Sequence, residues 1–556
     1  MTTPIQQKIR DKKRTAKQIA EMVKSGDWIN HGAVGGDSTA CTEAVAKRLG
    51  GGKSDLHDIE FWLAGNFYPH PELQEIDPMQ QYHCVHEHFF FPWNRKARED
   101  NDVTSWTPWG WAGGIWAHHY RFANGERKNR GIDWWFNAAT APDNHGYFNM
   151  SYGTNSSNIF KQTAKKIVFE VRADYPWAKG CRFNTIHIDD IDYWVEVDCE
   201  KYKWPQMNEK GIVARPMEQE IASHIMTIMR DRDVVQLGIG SLPSACVAAM
   251  ADAGFKYLGI HTEMLNYGLI KMIESGQVTN AYKRLDQGKS VWTFAFPVDV
   301  KWYYETVHRN QALAVYDIDY TNNLDVLRRV DNMIAINNTV AVNLLGQMTC
   351  SFYGKRPISG TGGFFQFIIF AAQSKGGRSV AAMTSCSKHN TPRIVPFLPE
   401  GSVVDVPAQF AQYVCTEYGM VNLRGLNGYE RARALISIAH PDDRAWLEKE
   451  ARRHGLMPPQ FPANFLPEEG GNRRYPSYSD RRSYKMPMGS SIWGYDWDPH
   501  SIEQIKKRQK YSGPCVQFVT RNRLSFSKVL KYESYSRRCF DRRAPTFLSG
   551  CFGKRH

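Results

Sequence analysis

The sequence predicts an α/β protein of two tandem domains, each a mostly parallel sheet with Gly-rich loops, followed by an irregular basic C-terminal extension. Three observations carry this. A short strand, a Gly-rich turn and a helix follow one another at Trp28–Val45, and the same order returns at Val234–Met250. Apolar, β-branched runs such as Lys166–Val171 (KIVFEV) read as buried strands and alternate with segments of helical spacing, the pattern of layered α/β architecture. At 556 residues the chain is too long for one ordinary core.

Taken in order, Lys13–Lys24 (KRTAKQIAEMVK) has helical spacing, and Ser25-Gly26-Asp27 stops it. Trp28-Ile29-Asn30 begins a strand, and Gly32–Val45 (GAVGGDSTACTEAV) is a strand-to-helix turn. Residues 80–135 are crowded with Trp, His and Phe. Ala141–Phe148 reads as a turn leading into a strand. Lys201–Val213 is polar with Pro and Gly and serves as the linker, so the expected divisions are 1–212, 213–460 and 461–556. Met217–Arg230 (MEQEIASHIMTIMR) is a helix that opens the second domain.

Composition bounds the function classes. With 42% hydrophobic and 23% charged residues the chain reads as soluble and globular. No apolar run reaches about 18 residues, so no membrane span is expected. The N-terminus is basic without an apolar segment behind it, so a cytoplasmic location is expected, with a mitochondrial one left open. Eleven cysteines are scattered with no C-x-x-C pair, which argues against a zinc site or a disulfide framework; no metal is expected. His83, His86, His88, His118 and His119 lack helical H-x-x-E-H spacing and read as packing or pocket wall.

The net charge of +13 is uneven: from Phe461 onward there are 19 basic and 8 acidic residues, so the high pI belongs to the tail. Its basic residues interleave with aromatics (RRYPSYSDRRSYK), and Ser501–Lys510 has the look of a short helix. A solvated, partly disordered extension is the plain reading and nucleic-acid binding the weaker alternative.

The stretch around which the chain is organised is Tyr257–Gly268 (YLGIHTEMLNYG), preceded by Val234–Pro243 (VVQLGIGSLP). A Gly-rich turn from strand to helix lets backbone N–H groups meet a phosphate. Glu263 at a strand end sits where open α/β sheets place their ligands. From spacing alone three readings stand. A Rossmann site would put Glu263 on a ribose, although its third glycine is missing, since Ser241-Leu242-Pro243 follows the second. Otherwise Glu263 is a nucleophile, or an acid that caps the next helix.

The blocks Gly-Ile-Gly-Ser-Leu-Pro and Leu-Gly-Ile-His-Thr-Glu-Met-Leu resemble the family I coenzyme A transferases, in particular the acetyl-CoA hydrolase/transferase group that includes 4-hydroxybutyrate and butyryl-CoA:acetate CoA-transferases. Further matches follow in order: Asp319-Tyr320-Thr321-Asn322, Ser359-Gly360-Thr361-Gly362-Gly363, Lys388–Pro396, Thr416-Glu417-Tyr418-Gly419 and Ala439-His440-Pro441. The resemblance covers roughly residues 15–455, and one departure is Ser38-Thr39-Ala40 where the family usually has a proline. It implies that Glu263 is the nucleophile, that Asn322 and the Gly363 backbone stabilise oxyanions, and that Glu417 lies near the active site. It assigns Gly238, Ile239, Gly240, Ser241 and Leu242 to the CoA-binding loop, with Gly360, Gly362 and Lys388 as further CoA contacts. The implied reaction is acyl-CoA:carboxylate CoA transfer, with hydrolysis as the nearest alternative. A basic interaction protein on an inactive scaffold is the distant one. No tightly bound cofactor is implied; CoA is substrate and product, the partners are an acyl-CoA and a short-chain carboxylate, and a homo-oligomer is usual.

Overall fold

In the computed structural model, residues 3–50, 55–63, 65–113, 132–205, 213–238, 240–296 and 299–458 are described. The basic extension, His118, His119 and Ile239 lie outside them.

Among the described residues the first half builds a sheet of eight strands, all parallel. Their order is Lys13–Arg14, Tyr193–Glu196, Lys166–Val171, Trp134–Ala139, Trp28–Asn30, Ile59–Leu63, His83–Glu87 and Ser105–Trp106. The second half builds a sheet in the order Gly259–Ile260, Val234–Leu237, Met333–Asn338, Arg378–Ala382, Tyr413–Thr416 and Gly419–Asn422. It is parallel except for its last, hairpin pair. The strands Trp134–Ala139 and Val234–Leu237 are buried along their whole length, so they are mostly apolar without alternation, and the Gln236 amide that interrupts the second is paired with Asn337. One apolar core runs through both halves: Trp28, Trp135 and Phe148 from the first join Val235, Trp292 and Ile336 from the second.

The N-terminus departs from its helical reading. Lys13–Arg14 is a strand, and the helix spans Ala16–Met22. Thr15 sets the start: its hydroxyl accepts from the Gln18 N–H at 3.2 Å, while the Gln18 side chain accepts from the Thr15 N–H at 2.9 Å. The same reciprocal cap at Thr3 and Gln6 opens a helix at Pro4–Asp11, a signal the apolar spacing did not expose. Asn266 caps the helix Tyr267–Glu274, and Gly268 lies inside it, where a Cβ would meet Val247 at 2.9 Å.

The two Gly-rich turns resemble each other in sequence and differ in what fills them. After Trp28–Asn30, the start of the helix Ala40–Ala46 is occupied by a carboxylate from the chain itself. Buried Glu170 accepts from the N–H groups of Thr39, Ala40 and Cys41 at 2.8, 3.1 and 2.7 Å, and from the hydroxyls of Ser38 and Thr39. No exogenous anion is needed there. At the second turn, no carboxylate is bonded to the backbone among the described residues, and Gly238 and Gly240 line a cavity.

Glu170→Ala leaves several buried donors unpaired at once, each worth about 1–3 kcal/mol. Thermal unfolding of this variant is expected to fall by several degrees or more, with Glu170→Gln intermediate. A melting temperature equal to the parent's in Glu170→Ala would show that the carboxylate does not hold this turn.

Candidate active site

Beyond the short edge strand Gly259–Ile260, His261 makes a bridge with Val291 and the chain bends at Glu263. The Glu263 carbonyl accepts from the N–H groups of Thr293 and Phe294 at 3.0 and 3.2 Å, and buried Thr262 donates its hydroxyl to the Leu237 carbonyl at 3.1 Å. These bonds fix the backbone on both sides of the acid. The cap of the following helix is Asn266, whose side-chain oxygen accepts from the Leu269 N–H at 2.9 Å, so Glu263 is not spent on capping.

Two donors converge on the Glu263 carboxylate. The Asn322 amide donates to Oε2 at 2.6 Å, and the Gly363 backbone N–H donates to the same carboxylate. Asn322 is buried at the C-terminal end of the helical turn Ile318–Thr321. The preceding carbonyl, Thr321, accepts from His261 Nε2 at 2.8 Å. Burial, with the Lys283 ammonium second, pushes His261 down to about 4, so the ring is neutral and its proton sits on the nitrogen that faces the carbonyl. His261 thus ties the strand that carries the acid to the turn that carries the amide.

Gly363 admits no side chain. A Cβ there would lie 1.7 Å from Glu263 Oε2. The loop before it is gripped from the first half of the chain. Gly360 pairs with Phe89, with room for no Cβ against the His88 carbonyl, and the Gly362 carbonyl accepts from the Trp111 N–H at 2.8 Å. Thr361 donates its hydroxyl to Asp405 at 2.5 Å, and Asp405 also holds the N–H groups of Cys350 and Ser351.

The Glu263 side chain keeps a partly open face, yet protein surrounds it closely enough that desolvation pushes the carboxyl up to about 7. The bonds from Asn322 and Gly363 act the other way. The acid is therefore poised between protonated and ionised forms near neutrality.

A cavity of about 200 Å³ is lined by Gly238, Gly240, Ser244, Asn266, Tyr267 and Lys271. Gly240 has a φ of +121° at the start of the helix Ser241–Ala253, a conformation that favours glycine. The Asn266 amide donates to the Gly238 carbonyl at 2.9 Å and joins this loop to the segment of the acid. Of the other expected loop residues, Ser241 donates to Glu218 at 2.6 Å and Leu242 is buried. Lys388 stands exposed on a turn. Glu417 accepts from the N–H and hydroxyl of Ser385 at 2.8 and 2.7 Å. Hydrogen bonding thus joins Glu263, Asn322 and Gly363 directly and leaves Glu417 and Lys388 on separate segments. His83, His86 and His88 are held singly: His83 by Asp77 at 2.9 Å, His86 stacked on Trp62, His88 edge-on to Trp109. His261, Asn266 and Lys271 were not found by sequence reasoning. Asn266 had a visible cap position, whereas nothing marked Lys271 among the surface lysines.

The N-terminal domain model of acetyl-CoA hydrolase/transferase matches residues 4–202, and the C-terminal domain model matches residues 300–451. A probable butyrate:acetyl-CoA coenzyme A-transferase of Syntrophomonas wolfei is 31% identical over 461 residues, covering 80% of this chain and 95% of the relative. The chain belongs to the acetyl-CoA hydrolase/transferase family. It is an enzyme of the CoA-transferase kind. A 4-hydroxybutyrate coenzyme A transferase of Clostridium kluyveri is 35% identical over 313 residues, 56% of this chain and 70% of that relative. The crystal structure of RipA from Yersinia pestis superposes with a TM-score of 0.72 at 27% identity, covering 82% of this chain and all of that one. The two α/β sheets are thus those of the CoA-transferase family, and no helix among the described residues is long and apolar enough to cross a membrane.

Gly363→Ala is expected to retain the fold's far-ultraviolet spectrum and lose nearly all activity, since the added methyl overlaps the carboxylate. Activity near the parent's would mean that the loop moves freely. Glu263 also contributes to pH-dependent stability. Its folded-state pKa is raised, so its contribution is full below the unfolded-state value near 4 and is lost as pH rises through about 7. Glu263→Gln should therefore melt higher than the parent at pH 8 and level with it at pH 4; a constant difference would contradict the raised pKa.

Proposed function

We propose that the protein is an acyl-CoA:carboxylate CoA-transferase that uses acetate or acetyl-CoA and a short-chain acyl-CoA through a glutamyl-CoA thioester on Glu263. The observation that supports this most directly is the convergence of the Asn322 amide and the Gly363 N–H on one half-buried carboxylate. A Rossmann role for Glu263 would need that carboxylate free for a ribose; here its donors are already those of an oxyanion site.

A Glu263 carboxylate oxygen attacks the thioester carbonyl carbon. The tetrahedral oxyanion collapses, the C–S bond breaks, and CoA thiolate leaves an acyl-glutamyl anhydride. The thiolate then attacks the glutamyl carbonyl carbon. The donor carboxylate departs, and a glutamyl-CoA thioester remains. The acceptor carboxylate attacks this thioester, and the same steps in reverse release the new acyl-CoA and the free Glu263 carboxylate. Whenever the glutamyl carbon becomes tetrahedral, its oxygen already faces Asn322 and Gly363. These donors need no reorganisation, which is what makes such a site effective. Phe89 and Trp111, packed on the 360–363 loop, are placed to wall the acyl group and keep water away.

The CoA moiety has its own place in this reading. The N-terminus of the helix Ser241–Ala253 and the Lys271 ammonium flank one cavity, and together they suit a phosphate of CoA. Lys271 is also held by Glu274 at 2.6 Å, which sets its direction.

Chromatography of CoA species after mixing protein, butyryl-CoA and acetate tests the reaction. New acetyl-CoA formed only with acetate, and abolished in Glu263→Ala, is the expected result. Free CoA appearing at the same rate without acetate would make the enzyme a hydrolase with the same nucleophile. Asn322→Ala is expected to lower kcat by about 10²–10³-fold. Lys271→Ala is expected to raise KM for acyl-CoA roughly tenfold, equivalent to about 1.4 kcal/mol, with kcat held. An acyl-pantetheine, which carries no nucleotide phosphates, should show no such change. An equal effect on both substrates would remove Lys271 from phosphate recognition.

A further inference from the structure

Near the end of the second half, three side chains of different donor chemistry meet. Cys386 lies just after the strand Arg378–Ala382, on the turn that carries Lys388. His440 and Asp443 lie at the start of the helix Pro441–Arg453. One donor atom from each falls within 4.8 Å of the other two, and the Cys386 thiol stands 3.5 Å from Asp443 Oδ2. All three are partly buried, which leaves a path from solvent. Among the described residues this is the one group of His, Cys and acidic side chains with metal-ligand spacing.

We propose that Cys386, His440 and Asp443 form a binding site for a zinc-type divalent cation, distinct from Glu263 and its donors. Sulfur, imidazole nitrogen and carboxylate oxygen together suit a borderline-soft ion such as Zn²⁺ rather than Ca²⁺ or Mg²⁺, which take oxygen. Zinc bonds of about 2.0–2.3 Å put tetrahedral donors roughly 3.3–3.8 Å apart. The thiol and Asp443 already stand at that separation, and the triad closes on an ion by shifts of about an ångström. Three protein ligands leave a fourth position for water.

Binding is not a redox step. The Cys386 S–H bond breaks, its proton goes to solvent, and the thiolate and Asp443 carboxylate both ligate the ion; the hydrogen bond between them is replaced by two metal bonds. The consequence is mechanical. The ion ties the turn of residues 386–392 to the last described helix. That turn follows directly on Ser385, whose N–H and hydroxyl hold Glu417. The site is therefore a clamp on the Ser385–Glu417 pair and on the Lys388 turn.

The test is a Co²⁺ titration of the full-length enzyme after chelator treatment and removal of the chelator. The expected result is saturation at one cobalt per chain with a near-ultraviolet thiolate-to-cobalt band, bleached when Zn²⁺ is added. The band should vanish in Cys386→Ser, and in His440→Gln and Asp443→Asn its midpoint should move to at least tenfold higher cobalt. Zn²⁺ should raise the melting temperature of the parent and not that of Asp443→Asn. A parent without the band overturns the proposal, and so does a band unchanged in Cys386→Ser, which would place it on another cysteine. Should Cys386→Ser fail to fold, unchanged cobalt midpoints in His440→Gln and Asp443→Asn would overturn it equally.

Discussion

The structure depends on holding one carboxylate out of water while still hydrogen-bonding it. A desolvated carboxylate alone is costly and takes up a proton; one held by strong donors alone is too stable to attack anything. At Glu263 the two effects oppose each other and leave the group near neutrality. This balance requires an amide and a backbone N–H within bonding distance of a partly closed site. It explains why the loop at Gly363 has no room for a Cβ and why Asn322 is anchored from below by His261.

That requirement also explains how the halves are joined. The loop carrying Gly363 belongs to the second half, yet Phe89 and Trp111 of the first half grip it at Gly360 and Gly362. The core is continuous across the same region, with Phe67 packed on Phe296 and Trp111 on Phe294, just after the N–H groups that hold Glu263. Aromatic packing keeps the donors in register with the acid, and among the described residues of the first half none bonds to the carboxylate. A site built this way is preorganised: its donors are placed by packing that precedes substrate.

Two similar loops with different contents show how local sequence underdetermines function. Both Gly-rich turns start a helix and both offer backbone donors. Glu170, distant in sequence, fills the first with an internal anion. The second faces a cavity with Lys271 at its rim. A phosphate-binding reading of either turn from glycines alone would have had equal support, and only the partner supplied by the sheet separates them.

Much of the site was legible from the chain. The Val234 strand, its Gly-rich turn and the acid at 263 are local patterns, while the Asn at 322 and the glycines at 360–363 stood out through the resemblance to the coenzyme A transferases. The N-terminal helix was placed too early because apolar spacing says nothing of where a Thr–Gln cap sits. Lys271 and His261 carried no local mark, since a lysine on a helix and a histidine in a strand read the same whether they serve a site or a surface. By itself, then, the sequence determined the α/β class and most of the order of the elements, because strand periodicity and glycine turns are properties of neighbours along the chain; Glu263, Asn322 and Gly363 were singled out through the resemblance to the coenzyme A transferases. Only the tertiary structure decided which Gly-rich turn stays open, how closely Gly363 approaches Glu263, and that Cys386 meets His440 and Asp443. Those outcomes are set by contacts between segments far apart in the chain, where distances of a few ångströms and exclusion of water decide the chemistry.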